Sequence, residues 1–209
     1  MEVTGTGGTG GSDNYAIFMN TGSITAPGAL TLTSNGGAIN QVGGTITVVG
    51  TTTITAGTSP TFFDVTLAQA TNDFSGAVSV VSANNVSLAD ANALTLGAST
   101  VENDFTATAS GGIIVAGDIT AGGTGEINIT GNTNVDPTLR STVGITLNSG
   151  KTIQTTDGDL NITGTGGSNV DGSNNGVYNL GGTITSGGAG NVVVMGTGGT
   201  VGSLSLIHI

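Results

Sequence analysis

Residues 12–25 read Ser-Asp-Asn-Tyr-Ala-Ile-Phe-Met-Asn-Thr-Gly-Ser-Ile-Thr, and residues 172–185 restate them without a gap as Gly-Ser-Asn-Asn-Gly-Val-Tyr-Asn-Leu-Gly-Gly-Thr-Ile-Thr. Both copies follow a Gly-Thr-Gly-Gly element, and a shorter pair, Asn-Asp-Phe, occurs at 72–74 and 103–105. Imperfect repeats of this kind are typical of coils stacked along an axis, because each coil contacts only its neighbours and tolerates insertions. A closed sandwich or barrel gives no reason for a segment to return 160 residues later. The repeats therefore favour a solenoid.

Short runs with apolar residues at every second position fill the space between these repeats. Because strand side chains alternate between faces, each run predicts a strand with one apolar and one polar face. The runs are Ala29–Thr33, Gly44–Val48, Thr52–Thr55, Gly76–Val80, Ala93–Leu96, Gly125–Thr130, Gly144–Leu147, Asp159–Thr163 and Gly182–Thr185. Gly and Asn separate them, and long apolar stripes of helical period are missing. We predict an all-β parallel β-helix without significant helix, with coils of about 20 residues, on the order of ten turns and a length of about 50 Å.

The composition excludes several classes of function. Charged residues make up 7% of the chain, against about 25% in ordinary domains. The only two basic residues, Arg140 and Lys151, cannot form the basic stripe that nucleic acids or anionic lipids require. No cysteine is present, which excludes disulfides and cysteine-based zinc sites. No apolar run is long enough for a membrane helix, so we predict no membrane insertion of this segment.

The organisation along the chain is expected to be one repeat region with an atypical tail. We assign residues 1–203 to a single β-solenoid region and residues 204–209, Leu-Ser-Leu-Ile-His-Ile, to an atypical tail. This tail is either a strand cut short or, in the interpretation that we prefer, a segment foreign to the native gene. The N-terminus lacks the basic and apolar regions of a signal peptide. We therefore expect the chain to be a fragment whose solenoid continues into the flanking parts of a longer exported protein.

Candidate chemistry is sparse. Asp157 and Asp159 are the best pair of carboxylates for a polysaccharide-processing enzyme, but beside Gly158 they are expected to form a turn. Residues 10–14 and 169–173 resemble calcium-binding turns only loosely and are not followed by tandem copies. We therefore predict no enzyme activity and assign no catalytic, cofactor-binding or metal residues and no cofactor.

Two further features have alternative interpretations. Thr-x-Thr triplets begin at Thr31, Thr45, Thr53, Thr106 and Thr183. Regular ranks of such triplets can bind ice, but Thr is also a favoured outward residue on half-buried strands, and we prefer that interpretation. Aromatic side chains can anchor a partner. We expect instead that Tyr15, Phe18 and Tyr178 pack at a coil corner. On a strand one of Phe62 and Phe63 must face outward, whereas a loop can bury both, and we favour core roles for these aromatic residues.

The repeated module begins with Gly-Thr-Gly-Gly, continues through an Asx-rich segment and a Val/Ile-Tyr/Phe pair, and ends in Gly-x-Ile-Thr. This module resembles repeats of filamentous-haemagglutinin-like and autotransporter-adhesin-like bacterial exoproteins. The similarity covers roughly residues 5–203. It implies a right-handed parallel β-helix at the bacterial surface or outside the cell, with a role in adhesion or biofilm contacts. Host-cell or matrix surfaces, glycans and neighbouring cells are the partners that it implies. A passive stalk carrying another domain is the alternative.

Overall fold

The computed structural model describes residues 1–8, 14–134, 143–167 and 174–199, which form strands and turns and contain no helix. The first strands along the chain are β1 (Glu2–Gly5), β2 (Tyr15–Met19), β3 (Ser23–Ala26), β4 (Leu30–Ser34), β5 (Ala38–Gln41), β6 (Thr45–Val48), β7 (Thr52–Thr58), β8 (Thr61–Phe62), β9 (Val65–Leu67), β10 (Asp73–Phe74), β11 (Val78–Ser82) and β12 (Val86–Asp90). They are followed by β13 (Leu94–Val101), β14 (Phe105–Ala109), β15 (Ile113–Val115), β16 (Ile119–Ala121), β17 (Ile127–Gly131), β18 (Ile145–Leu147), β19 (Thr152–Thr155), β20 (Leu160–Thr165), β21 (Val177–Asn179), β22 (Thr183–Ser186) and β23 (Val192–Thr197).

The strands stack into parallel sheets in which each strand pairs with its counterpart one coil away. The first sheet runs in the order β1-β4-β7-β11-β13-β15-β18-β21, and the second in the order β2-β5-β9-β12-β14-β17-β20-β23. A third face is made by β3-β6-β10 at one end and by β16-β19-β22 at the other. The chain is therefore a parallel β-solenoid, as the repeats predict. Its right-handed sense stays a prediction.

The third face changes place along the axis. In the first coils the chain passes from the first sheet to the second and then to β3, β6 or β10. From β13 onward it passes from the first sheet directly to the β16-β19-β22 face and only then to the second sheet. The change coincides with register shifts in β11, between Val78 and Val80 and between Val80 and Ser82. A bulge bends its strand locally, so one sheet bends into two faces there.

The core consists of ladders of inward-facing apolar side chains. Leu32, Ile54 and Val80 are register partners on successive coils and are at most 1% exposed. The two phenylalanines of the Asn-Asp-Phe repeats, Phe74 and Phe105, are also buried. Alternating inward and outward positions along each strand explain why the nine predicted runs all form strands.

Coil length varies more than expected. First-sheet register partners are 18 residues apart at Val78 and Leu96 but 32 apart at Ile113 and Ile145. The described part of the first sheet therefore holds eight rungs, about 34 Å at about 4.8 Å per coil. This is shorter than the predicted 50 Å because residues inserted at corners add length to the chain but not to the rod.

Glycines permit the close approach of successive coils at several corners. Gly125, Gly158 and Gly190 lie one above another. A Cβ added at Gly158 would overlap the carbonyl oxygen of Gly125, and one at Gly190 would overlap the carbonyl oxygen of Gly158. The high glycine content thus has a packing reason in addition to turn formation.

Candidate functional site

A column of acidic and amide side chains fixes the corner that precedes the second sheet. From β9 onward each strand of this sheet is preceded by such a residue, namely Asp64, Asn85, Asp104, Glu126, Asp159 and Asn191. The Glu126 backbone N–H donates to Asp104 Oδ1 at 2.9 Å, and the Asn191 N–H donates to Asp159 Oδ1 at 2.7 Å. Side chains in this column therefore accept backbone hydrogen bonds from the next coil, and their role is structural.

Asp157 and Asp159 lie between β19 and β20, so the predicted turn is confirmed. Asp157 Oδ1 accepts a hydrogen bond from the Ala189 N–H at 2.7 Å, which parallels the bond between Asp159 and Asn191. In the part of the chain that the structure describes, no group of three or more His, Asp or Glu side chains could hold a metal ion. The predicted absence of enzyme activity remains a prediction.

Several predicted features lie wholly or mostly outside the described residues. These are the calcium-like segments 10–14, of which only Asn14 is described, and 169–173, together with Arg140 and the tail 204–209. The Thr-x-Thr triplets are described, and they lie on different sheets instead of forming one array: Thr31 and Thr53 on the first sheet, Thr45 on β6, Thr106 on the second sheet and Thr183 on β22. Among the described residues no helix has the length and apolarity to span a membrane.

Tyr15 and Phe18 are exposed, so the expectation that they pack at a coil corner is wrong. Tyr15 is 36% exposed and Phe18 is 52% exposed, and their rings stack with centroids 5.0 Å apart. Residues three apart on a regular strand face opposite sides. Here the pairing of β2 with β5 shifts register between Tyr15 and Ile17, and this irregularity brings both rings to the outer face.

A hairpin projects from the solenoid next to this aromatic pair. Strand β7 continues past its coil corner and pairs with β8 in antiparallel fashion, with Gly57 opposite Phe62 and Thr58 opposite Thr61. The tip contains a cis peptide bond between Ser59 and Pro60. Phe63 packs against the core, as expected, whereas Phe62 lies on the hairpin and is half-exposed. The core prediction therefore holds for Phe63 but is wrong for Phe62.

Two cavities adjoin at Phe62 and form what we call the aromatic trough. One has a volume of about 360 Å³, and its lining residues are Asn14, Tyr15, Ala38, Phe62, Phe63, Asp64 and Asn84. The other has a volume of about 500 Å³, and its lining residues are Ser59, Pro60, Thr61, Phe62, Asn84, Glu102 and Asn103. Phe62 and Asn84 line both. The trough therefore combines three aromatic rings, Tyr15, Phe62 and Phe63, with carboxylates and amides.

Hydrogen bonds hold the polar wall of the trough in place. Asn84 Nδ2 donates to Asp64 Oδ1 at 2.7 Å, and Asn103 Nδ2 donates to Asn84 Oδ1 at 2.6 Å. These bonds leave Asp64 Oδ2 and, among the described contacts, both carboxylate oxygens of Glu102 as acceptors without a protein donor. The trough is an open groove with a mainly polar lining, which differs from the mostly apolar cavities that enclose compact small molecules.

A buried carboxylate lies where the third face changes place. Asp90, at the end of β12, is 2% exposed, and its Oδ2 accepts a hydrogen bond from the Phe74 N–H at 2.7 Å. The Asp90 carboxylate thus takes the place of the backbone carbonyl that a neighbouring strand would offer to the Phe74 N–H of β10. Burial raises the pKa of Asp90 to about 6, against the opposing effect of backbone hydrogen bonds from Phe74 and Asn92, and Asp73 adds a small repulsion.

We predict that Asp90 gives the stability of the folded protein an unusual pH dependence. Because its folded pKa exceeds the unfolded value of 3.8, the folded state binds the proton more tightly, so the contribution of Asp90 to stability increases as the pH falls from about 6 towards about 4. Between pH 7 and pH 4.5 the free energy of unfolding of the wild type should rise relative to that of Asp90→Asn by about 2 kcal/mol. Urea denaturation of both proteins at the two pH values measures the difference. A difference that does not change with pH would contradict the assignment.

Sequence reasoning missed the trough but could have found part of the acidic column. The signal is an acidic or amide residue directly before an apolar strand position, as in Asp64-Val65, Asp104-Phe105 and Glu126-Ile127. Turn-forming residues at 57–60, Gly-Thr-Ser-Pro, could likewise have indicated the hairpin. Nothing in the sequence places Tyr15 beside Phe62, because their proximity depends on how the coils stack.

Comparison with known proteins identifies a family. Two consecutive stretches of the chain, residues 12–81 and 83–151, match repeats of unknown function (DUF5649). The first stretch begins just before β2 and the second just before β12, so each match covers several coils and both lead into the second sheet. Neither curated proteins nor solved structures gave a match to this chain. With about two thirds of its residues in the two matches, the chain belongs to the DUF5649 repeat family.

Proposed function

We propose that this chain is a structural and adhesive module of a large secreted or surface-attached bacterial protein. In this proposal the solenoid is a rigid rod outside the cell, and it holds contact sites for host-cell or matrix surfaces, glycans or neighbouring cells. Several weak contacts along such a rod, or on several rods, would add up to strong attachment through multivalency. The resemblance of the repeats to those of bacterial adhesins supports this proposal.

The observation that carries the proposal is the exposed stacked pair Tyr15 and Phe18. In a solenoid that buries Phe74 and Phe105, two rings held 5.0 Å apart on the outer face are a hydrophobic surface without an internal role. Exposed aromatic side chains of this kind are typical anchors of binding surfaces.

The stalk hypothesis has an observation of its own. Outward-facing amides on the second sheet bond to each other instead of remaining available to a partner, as in the 3.0 Å bond from Asn161 Nδ2 to Asn128 Oδ1. A passive stalk would need such self-satisfied ladders and no contact site. The two hypotheses therefore differ in what they predict for the Tyr15–Phe18 pair.

Bead adhesion distinguishes them. Beads coated with the chain at high density should attach to cultured cells or to extracellular matrix at least tenfold more than uncoated beads. The double variant Tyr15→Ser/Phe18→Ser should lose most of this attachment, whereas Ile114→Thr, at an exposed apolar position of the first sheet, should keep it. Attachment no better than that of uncoated beads would contradict adhesion and favour the stalk.

A further inference from the structure

We propose that the aromatic trough binds a neutral, linear polysaccharide chain. The inference rests on the proposed adhesive function and names the chemical class of one ligand. It depends on the shape of the trough, on its aromatic rings and on its charge.

The shape of the trough fits a linear chain. Its lining residues come from successive coils, from Tyr15 on the first coil through Ala38, Phe62 and Asn84 to Asn103 on the fifth. Four coil spacings of about 4.8 Å give a length of about 19 Å along the axis. A linear oligosaccharide of several residues spans such a length, whereas a single compact metabolite would fill only a part of it.

The side chains along the trough carry complementary chemistry for sugars. A pyranose ring presents C–H groups on its faces and hydroxyl groups at its edges. The rings of Tyr15 and Phe62 offer flat apolar surfaces for the faces. The free oxygens of Asp64 and Glu102 can accept hydrogen bonds from the hydroxyl groups, and bonds to a charged acceptor are stronger than those between neutral groups.

The charge of the trough selects a neutral chain over an anionic one. Asp64 and Glu102 line it, and Asp104 follows Asn103 on the same corner. The one basic side chain that the structure describes, Lys151, lies between β18 and β19, beyond the coils that form the trough. Sulfated or uronic-acid polymers would therefore meet uncompensated repulsion from these carboxylates.

Titration of the full chain with defined hexasaccharides tests the inference. The probes are hexamers of glucose, mannose and N-acetylglucosamine, with a heparin hexasaccharide as the anionic comparison, and isothermal calorimetry measures binding. At least one neutral hexamer should bind and heparin should not. Phe62→Ala should weaken that binding at least tenfold and Phe62→Trp should retain it. Glu102→Gln, at an exposed position that the fold does not need, should weaken it severalfold, and Ile114→Thr should leave it unchanged.

The outcomes separate this inference from the proposed function. If no neutral hexamer binds while coated beads still attach to cells, the trough assignment is wrong and adhesion stands. If a hexamer binds equally well to wild type, Phe62→Ala and Glu102→Gln, the ligand sits elsewhere and the assignment is also wrong. Stronger binding of heparin than of every neutral hexamer would overturn the charge argument. If coated beads fail to attach to cells while a neutral hexamer still binds the trough, the proposed adhesive function is wrong and the trough assignment stands.

Discussion

Replacing Gly158 by alanine is expected to lower the free energy of unfolding by about 3 kcal/mol, at the upper end of what overpacking costs. The added Cβ would overlap the carbonyl oxygen of Gly125 on the preceding coil. Both groups are tied to backbone, so relief requires two coils to separate and their hydrogen bonds to lengthen. Urea denaturation followed by far-ultraviolet circular dichroism measures the loss.

Gly28 provides the matched control for this substitution. A Cβ added at Gly28 meets nothing within 4 Å, and the residue has no positive φ. Gly28→Ala should therefore be neutral or stabilising by up to about 1 kcal/mol, because alanine reduces the freedom of the unfolded chain. Equal effects of the two substitutions would show that Gly158 is not held against the neighbouring coil.

Asn72→Leu is expected to lower the free energy of unfolding by about 4 kcal/mol, because it breaks a buried amide pair and leaves several polar groups without partners. Asn72 is fully buried, and its Oδ1 accepts hydrogen bonds from Gln41 Nε2 at 2.8 Å and from the Ile46 N–H at 3.0 Å. Its Nδ2 donates to Gln41 Oε1 at 2.8 Å and to the Leu67 carbonyl at 3.1 Å. Leucine has a similar volume but replaces none of these bonds.

Asn103 is the counterpart of Asn72 in the second Asn-Asp-Phe copy, and it is exposed. Asn103→Leu removes only the side-chain bond to Asn84 and should cost less than about 1 kcal/mol. In the double variant Gln41→Leu/Asn72→Leu the loss should be smaller than the sum of the two single losses, since the amide left unpaired by one change is removed by the other. If Asn72→Leu and Asn103→Leu lower the free energy of unfolding by amounts that differ by less than about 1 kcal/mol, the buried amide network of Asn72 and Gln41 is contradicted.

The strands could be predicted because the pleat imposes a period of two on any strand with one buried face. Leu94-Thr-Leu96 and Ile127-Asn-Ile129 carry this period and form strands. Strands such as Ile113–Val115 and Val192–Thr197 were not predicted, because apolar residues follow one another and no alternation marks which side faces inward.

The rest of the fold depends on contacts between coils that local sequence does not encode. The same Asn-Asp-Phe triplet places Asn72 in the interior and Asn103 on the surface, since only the first has Gln41 opposite to it. The aromatic trough arises in the same way. It requires the irregular register at Tyr15 and the extension of β7 into a hairpin, and neither changes the hydrophobic pattern.

The most direct test of the stacking that creates this trough is a series of distances between spin labels along the second sheet. Outward positions form one column of register partners, in the order Asn40, Thr66, Ser87, Thr106, Asn128, Asn161 and Val193. With one label fixed at Val193 and the other at Ser87, Thr66 or Asn40, a solenoid predicts distances of about 19, 24 and 29 Å, a step of about 4.8 Å per coil. The number of residues between the two labels along the chain should have no influence on these distances. Distances that fail to increase from Ser87 to Thr66 to Asn40 would contradict the stacked coils and, with them, the trough.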